Sequence, residues 1–99
     1  MEIAFEDPER WNRWFDSLPA LDAARVEVAL DRLEAFGKDL DRPHSAPLGK
    51  GLFELRITGK PPYRVMYHFA KPGVVILTFA KKTSPQAHDR AVARARKKM

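Results

Sequence analysis

Apolar and polar positions recur along this chain with two different periods, and the change comes near its middle. Trp11, Trp14, Phe15 and Leu18 fall at i, i+3, i+4 and i+7, one stripe of an amphipathic helix. Asp7-Pro8 supplies the start, with Asp as N-cap and Pro at the first helical position. After Pro19, a second helix is predicted from about Ala20 to Phe36. Its stripe runs through Val26, Ala29, Leu30, Leu33 and Phe36, while Arg25, Glu27, Asp31, Arg32 and Glu34 mostly take the other face. Gly37 closes it. The short connection makes the two helices an antiparallel hairpin. Residues 38–50 read as a polar loop containing Pro43, Pro47 and Gly49.

From Leu52 the period becomes two. Phe53, Leu55 and Ile57 share one face of a strand, and Glu54, Arg56 and Thr58 share the other. After Gly59-Lys60-Pro61-Pro62, a strand from Tyr63 to Ala70 points Tyr63, Val65, Tyr67 and Phe69 inward and Arg64, Met66 and His68 the other way. Lys71-Pro72-Gly73 marks a turn, and the β-branched run Val74–Ala80 predicts a central strand. Ser84-Pro85 opens a last helix, which carries Arg94, Arg96, Lys97 and Lys98. The expected fold is α+β: a helical hairpin, an antiparallel meander of three to four strands and a C-terminal helix, all in one domain over residues 1–99.

Parity brings particular side chains together. A three-residue turn at 71–73 would set Ala70 against Val74, Arg64 against Ala80 and His68 against Ile76. Lys82 continues the parity of Ala80, so Arg64 and Lys82 share a sheet face, with Arg56 on the neighbouring strand. Three cations beside a helix start form a phosphate site.

Charge sharpens that expectation. Residues 1–49 carry six Lys/Arg and eleven Asp/Glu, net −5, whereas residues 50–99 carry twelve and two, net +10. A polyanionic partner, nucleic acid before anionic membrane, fits such a split. There is no Cys, which excludes disulfides and thiolate metal sites. His44, His68 and His88 are scattered, so neither a metal nor another cofactor is expected. No apolar run nears bilayer length, and the acidic start is unlike a signal peptide. A cytoplasmic protein without membrane attachment is therefore expected. Trp11, Trp14 and Phe15 read as core rather than as a base-stacking platform, and His68 reads as packed within its strand. His44, beside Pro43, gives no signal.

Three segments in order are familiar: Glu54-Leu55-Arg56, Tyr63-Arg64-Val65-Met66-Tyr67, and Val74 through Ala80-Lys81-Lys82-Thr83. With the cationic helix after Ser84-Pro85, they resemble the phage-derived, HigB-like branch of the RelE/ParE toxin superfamily. The resemblance implies the toxin of a type II toxin–antitoxin pair, restrained by an antitoxin, expected to be a small helix-turn-helix protein from the adjacent gene. It also implies a metal-independent endoribonuclease that cuts mRNA on the ribosome, through attack of a ribose 2′-OH on the adjacent phosphate. By the same resemblance, Arg64 and Lys82 would stabilise the phosphorane, and His88 would take the acid/base position held by a Tyr in RelE itself. Arg56, Lys81, Arg94, Arg96, Lys97 and Lys98 would bind the RNA backbone.

The chain departs from RelE where that protein carries lysines, at Leu52 and Glu54. Glu54 then stands either as a replacement base or as a surface carboxylate. The alternative implied by the ParE-like branch is a toxin that inhibits DNA gyrase without cutting RNA. An acid/base group at position 88 favours the nuclease, because a gyrase inhibitor has no use for one.

Overall fold

The computed structural model describes all of residues 1–99. The elements in chain order are β1 (Glu2–Phe5), α1 (Pro8–Ser17), α2 (Ala20–Phe36), β2 (Ser45–Gly49), β3 (Leu52–Ile57), β4 (Tyr63–Ala70), β5 (Gly73–Lys81) and α3 (Pro85–Lys97). The strands form one sheet in the order β1-β5-β4-β3-β2. It is antiparallel except for β1, which runs parallel to β5. The helical hairpin, the meander and the terminal helix are therefore present as expected, in an α+β arrangement.

Helices cover both faces of this sheet. Against the first face, α1 and α2 bury Trp11, Val26, Ala29 and Leu33 on Leu55, Ile57, Tyr63, Val65, Tyr67, Val74 and Ile76. Trp14 stacks on Phe79 with ring centroids 4.2 Å apart, so the α1 aromatics are core. On the second face, α3 lays Ala91 and Ala95 on Leu52, Met66 and Leu77. Two alanines let the helix approach β5 and β4 closely, and its first turn reaches β3 through His88 and Glu54. The Asp7 and Ser84 side chains cap α1 and α3, accepting from the backbone N–H of Arg10 and Ala87.

Three expectations need correction. Residues 45–49 are not loop but the edge strand β2, which the Pro47 and Gly49 content hides; its Ser45 and Ala46 are buried. β1 was not expected either. Its four residues carry only Ile3 and Phe5 as an inward pair, too few to show a period. Lastly, the β4–β5 turn is one residue shorter than expected, because Ala70 pairs with Gly73. Gly73 belongs to the strand and lies directly against the Glu2 backbone, where no Cβ would fit. His68 accordingly faces Val75, not Ile76. Tyr67 then pairs with Ile76 and Met66 with Thr78, which leaves Leu77 as an extra residue in β5. This bulge restores the expected pairing of Arg64 with Ala80.

No helix is long and apolar enough to cross a membrane.

Candidate active site

β3 and β4 set Arg56 directly opposite Arg64. Two like charges facing each other across a strand pair repel, and Glu54, two residues before Arg56 on the same face, compensates them. Arg56 Nε donates to Glu54 Oε1 at 3.0 Å, and Arg64 Nε lies 3.9 Å from Glu54 Oε2. The same Oε2 is 2.7 Å from His88 Nε2 on α3. At 3 % exposure, Glu54 is not a surface carboxylate. Burial alone would raise its pKa, but the hydrogen bonds from His88 and Arg56, the charge of the His88 ring when protonated and the charge of Arg64 prevail and hold it below the usual carboxylate range. It is an ionised, acceptor-only group.

That charge state decides how His88 is held. An ionised carboxylate can only accept, so Nε2 carries the proton in the 2.7 Å bond. In the neutral ring Nδ1 is then the acceptor, and Nε2 alone is engaged by the protein. His88 reaches this position because α3 starts at Ser84 and packs down through Ala91, turning the fourth residue after the cap toward β3.

The Arg64 side chain is 12 % exposed. Its Nη1 donates to its neighbour's carbonyl, Tyr63 O, at 3.1 Å, and its Nε is buried without a hydrogen-bond partner. Burial shifts its pKa downward against the opposing pull of Glu54, and Arg56 adds to that downward shift. Beyond it opens a cleft lined by Pro62, Arg64, Lys82, Thr83, Ser84 and Pro85. A guanidinium, an ammonium and the first residues of a helix thus border one hollow that contains no carboxylate.

The other expected site residues are placed differently. Lys81 pairs with Tyr63 and follows the parity of Phe79, on the α1/α2 side, where its charge is felt by Asp22. It does not share the face of Arg64. The tail cations diverge: Arg94 reaches Phe79 O, Arg96 donates to Leu48 O and Gly49 O, and Lys98 pairs with Glu6. Only Lys97 of the four is exposed without an intramolecular partner. His68 lies farther along β4, opposite Leu52. His44, without a signal in the sequence, contacts Arg32 at 3.0 Å. No group of three or more His, Asp or Glu side chains is placed to hold a metal.

A groove between α2 and the end of β3 escaped the sequence reading. Leu21 and Val28, 75 % and 54 % exposed, line it with Ala24, Arg25, Arg32 and Arg56. The signal available was Leu21-Ala24-Val28, a second apolar stripe on α2.

Residues 13–99 match the family model described as phage-derived protein Gp49-like (DUF891). No curated protein matches the chain.

Proposed function

We propose that this chain, which belongs to the phage-derived Gp49-like (DUF891) family, is the toxin of a type II toxin–antitoxin pair and cuts mRNA on the ribosome without a metal. The arrangement that carries this reading is the buried Glu54 carboxylate joined to His88, with Arg64 and Lys82 bordering the adjoining cleft. Cleaving an RNA strand through its own 2′-OH, a transesterification, requires a base at that hydroxyl, cations at the phosphorane and a proton for the departing 5′-oxygen.

Each requirement has a residue. His88 Nδ1 takes the 2′-OH proton, and the imidazolium that forms is stabilised by Glu54 through the Nε2 hydrogen bond, as a carboxylate orients a catalytic imidazole in hydrolases. The 2′-oxygen then bonds to phosphorus. Arg64, already fixed by packing, receives the extra negative charge on the non-bridging oxygens in a bidentate grip. Lys82, at the mouth of the cleft, donates a proton to the 5′-oxygen as the P–O bond breaks. The products are a 2′,3′-cyclic phosphate and a free 5′-hydroxyl. Arg56 acts indirectly: it holds Glu54 Oε1 and so fixes the carboxylate that fixes His88.

The antitoxin reading draws support from the α2–β3 groove. Its exposed Leu21 and Val28 fit apolar anchors, and Arg25, Arg32 and Arg56 at its rim fit carboxylates. An amphipathic acidic segment of the antitoxin has that chemistry. Arg56 belongs to both the groove and the Glu54 cluster, so a carboxylate that draws it away from Glu54 would loosen the site.

Induced expression should arrest bacterial growth, and co-expression of a helix-turn-helix protein from the adjacent gene should restore it. Undiminished growth on expression of soluble, folded protein would overturn the toxin reading.

A further inference from the structure

The second cationic centre of the molecule lies outside the cleft. β1 pairs only with Gly73–Ile76, so the outer edge of β5 carries no strand beyond that point. Arg10 approaches this bare stretch from α1, on one face of the sheet. Its Nη1 lies 3.5 Å from Thr78 Oγ1, and its guanidinium sits 5.0 Å from the centre of the Phe79 ring. Arg94 approaches from α3, on the opposite face, and its Nη2 is 3.4 Å from Phe79 O. Arg90 precedes Arg94 by four residues on the same side of α3.

None of these three arginines takes part in an ion pair. Of the acids close by in the chain, Asp7 caps α1 and Glu6 holds Lys98, while Glu9 and Asp89, next in sequence to Arg10 and Arg90, pair with neither. Arg94 Nε is buried with no hydrogen-bond partner, a rare condition for a polar atom inside a folded protein. Burial, together with the charges of Arg10 and Arg90, pushes the Arg94 guanidinium below its usual range. Like charges gathered without a counterion oppose folding, which is the expected state of an anion site awaiting its ligand.

We infer that Arg10, Arg90 and Arg94 form a phosphate track that holds single-stranded RNA along the bare edge of β5, leading to the Arg64–Lys82 cleft. The inference rests on the nuclease reading for its direction: Arg94, Arg90 and Gln86 succeed one another at four-residue spacing along α3, whose N-terminal end at Ser84 and Pro85 borders the cleft together with Lys82. Four residues of helix rise about 6 Å, comparable with the separation of consecutive phosphates in an extended strand. Arginine suits the role because its planar fork meets phosphate oxygens in pairs. An acidic peptide fits less well. The dent between β1, α1 and β5 has room for about one water molecule, so nothing there receives an apolar side chain.

The test measures the binding of a fluorescently labelled oligouridylate by anisotropy across a salt series. It compares wild type, Arg64→Ala and the combined Arg10→Gln, Arg90→Gln and Arg94→Gln variant. Each phosphate contact contributes about 0.7 to the slope of log affinity against log salt for single strands. The combined variant should therefore lose about 2 from the slope and at least about tenfold in affinity at low salt. Arg64→Ala should lose no more than one contact. Should the combined variant misfold, Arg90→Gln alone, an exposed helix position, should still lower the slope by about 0.7. Unchanged slope and affinity in folded variants would overturn the track, as would displacement of the RNA by oligoglutamate of equal length at lower concentration. The two readings fail separately. Loss of RNA affinity in the combined variant, with translated mRNA left intact by wild type, keeps the track and removes the nuclease. Normal binding by that variant, with mRNA cut by wild type, does the reverse.

Discussion

Glu54 Oε2 and His88 Nε2 meet at 2.7 Å across 34 residues of chain, tying β3 to the first turns of α3. The carboxylate is buried, ionised and shared with Arg56 and Arg64, so it serves the fold and the proposed chemistry together.

Glu54→Gln keeps the shape and removes the charge, leaving Arg56 and Arg64 opposed across the ladder. We expect a loss of about 1–3 kcal/mol in unfolding free energy near neutral pH, the usual range for an uncompensated buried polar group. The sign with pH follows from the lowered pKa. A carboxyl group more acidic in the folded state stabilises above its unfolded pKa, and that contribution is lost as pH falls through the folded pKa. The difference between wild type and Glu54→Gln in urea unfolding should therefore be full at neutral pH and shrink in acid, below the ordinary glutamate range. A gap that widens in acid would contradict the assignment.

Tyr63 donates its hydroxyl to Asp22 Oδ2 at 2.7 Å. That bond, ahead of the opposing effect of burial and the help of Arg25, lowers the Asp22 pKa. Tyr63→Phe should lower stability, read by urea denaturation, because the Asp22 carboxylate loses a donor. No measurable change would mean that solvent replaces the hydroxyl.

Much of this was legible in the residues, and the illegible part has identifiable causes. The periods of α1, α2, β3, β4, β5 and α3 are long enough to read. β1 and β2 are not, being four and five residues long and lacking an extended apolar alternation. The pairing of Arg64 with Ala80 agrees with expectation only because the shorter turn and the extra residue Leu77 offset each other. A bulge leaves no mark in the alternation of Ile76, Leu77 and Thr78, all three of them buried. Parity placed Glu54, Arg56 and Arg64 on one face, but the burial of Glu54 depends on where α3 docks, which is a property of Ala91 and Ala95. Lys81 and the diverging tail cations show the limit of reasoning from charge alone. A run of basic residues on a helix points in several directions at once.

The groove predicts separation of function. Leu21→Asp with Val28→Asp introduces negative charge where acidic partners should dock, at exposed positions that leave the core intact. The adjacent-gene antitoxin should bind this variant at least about tenfold more weakly by calorimetry, roughly 1.4 kcal/mol per tenfold, and should no longer rescue growth. Toxicity itself should persist. Equal affinity for wild type and variant would place the antitoxin elsewhere.

His88→Ala should slow cleavage by about 10²–10⁴-fold, the usual contribution of a positioned acid/base group. His88→Gln, which can still donate to Glu54 but cannot take the 2′-OH proton, should be as slow as His88→Ala. Wild-type rate in His88→Gln would remove His88 from the chemistry and leave it as a brace for Glu54.

Primer extension on mRNA translated in extract, with wild type beside Arg64→Ala and with gyrase supercoiling followed in the same extract, tests the central claim most directly. Wild type should produce discrete cuts and leave supercoiling unaffected. Arg64→Ala should lose about 10²–10³ in rate, the usual effect of removing one preorganised charge-stabilising contact, while still folding and binding the antitoxin. Intact mRNA together with gyrase inhibition by wild type would contradict the nuclease account.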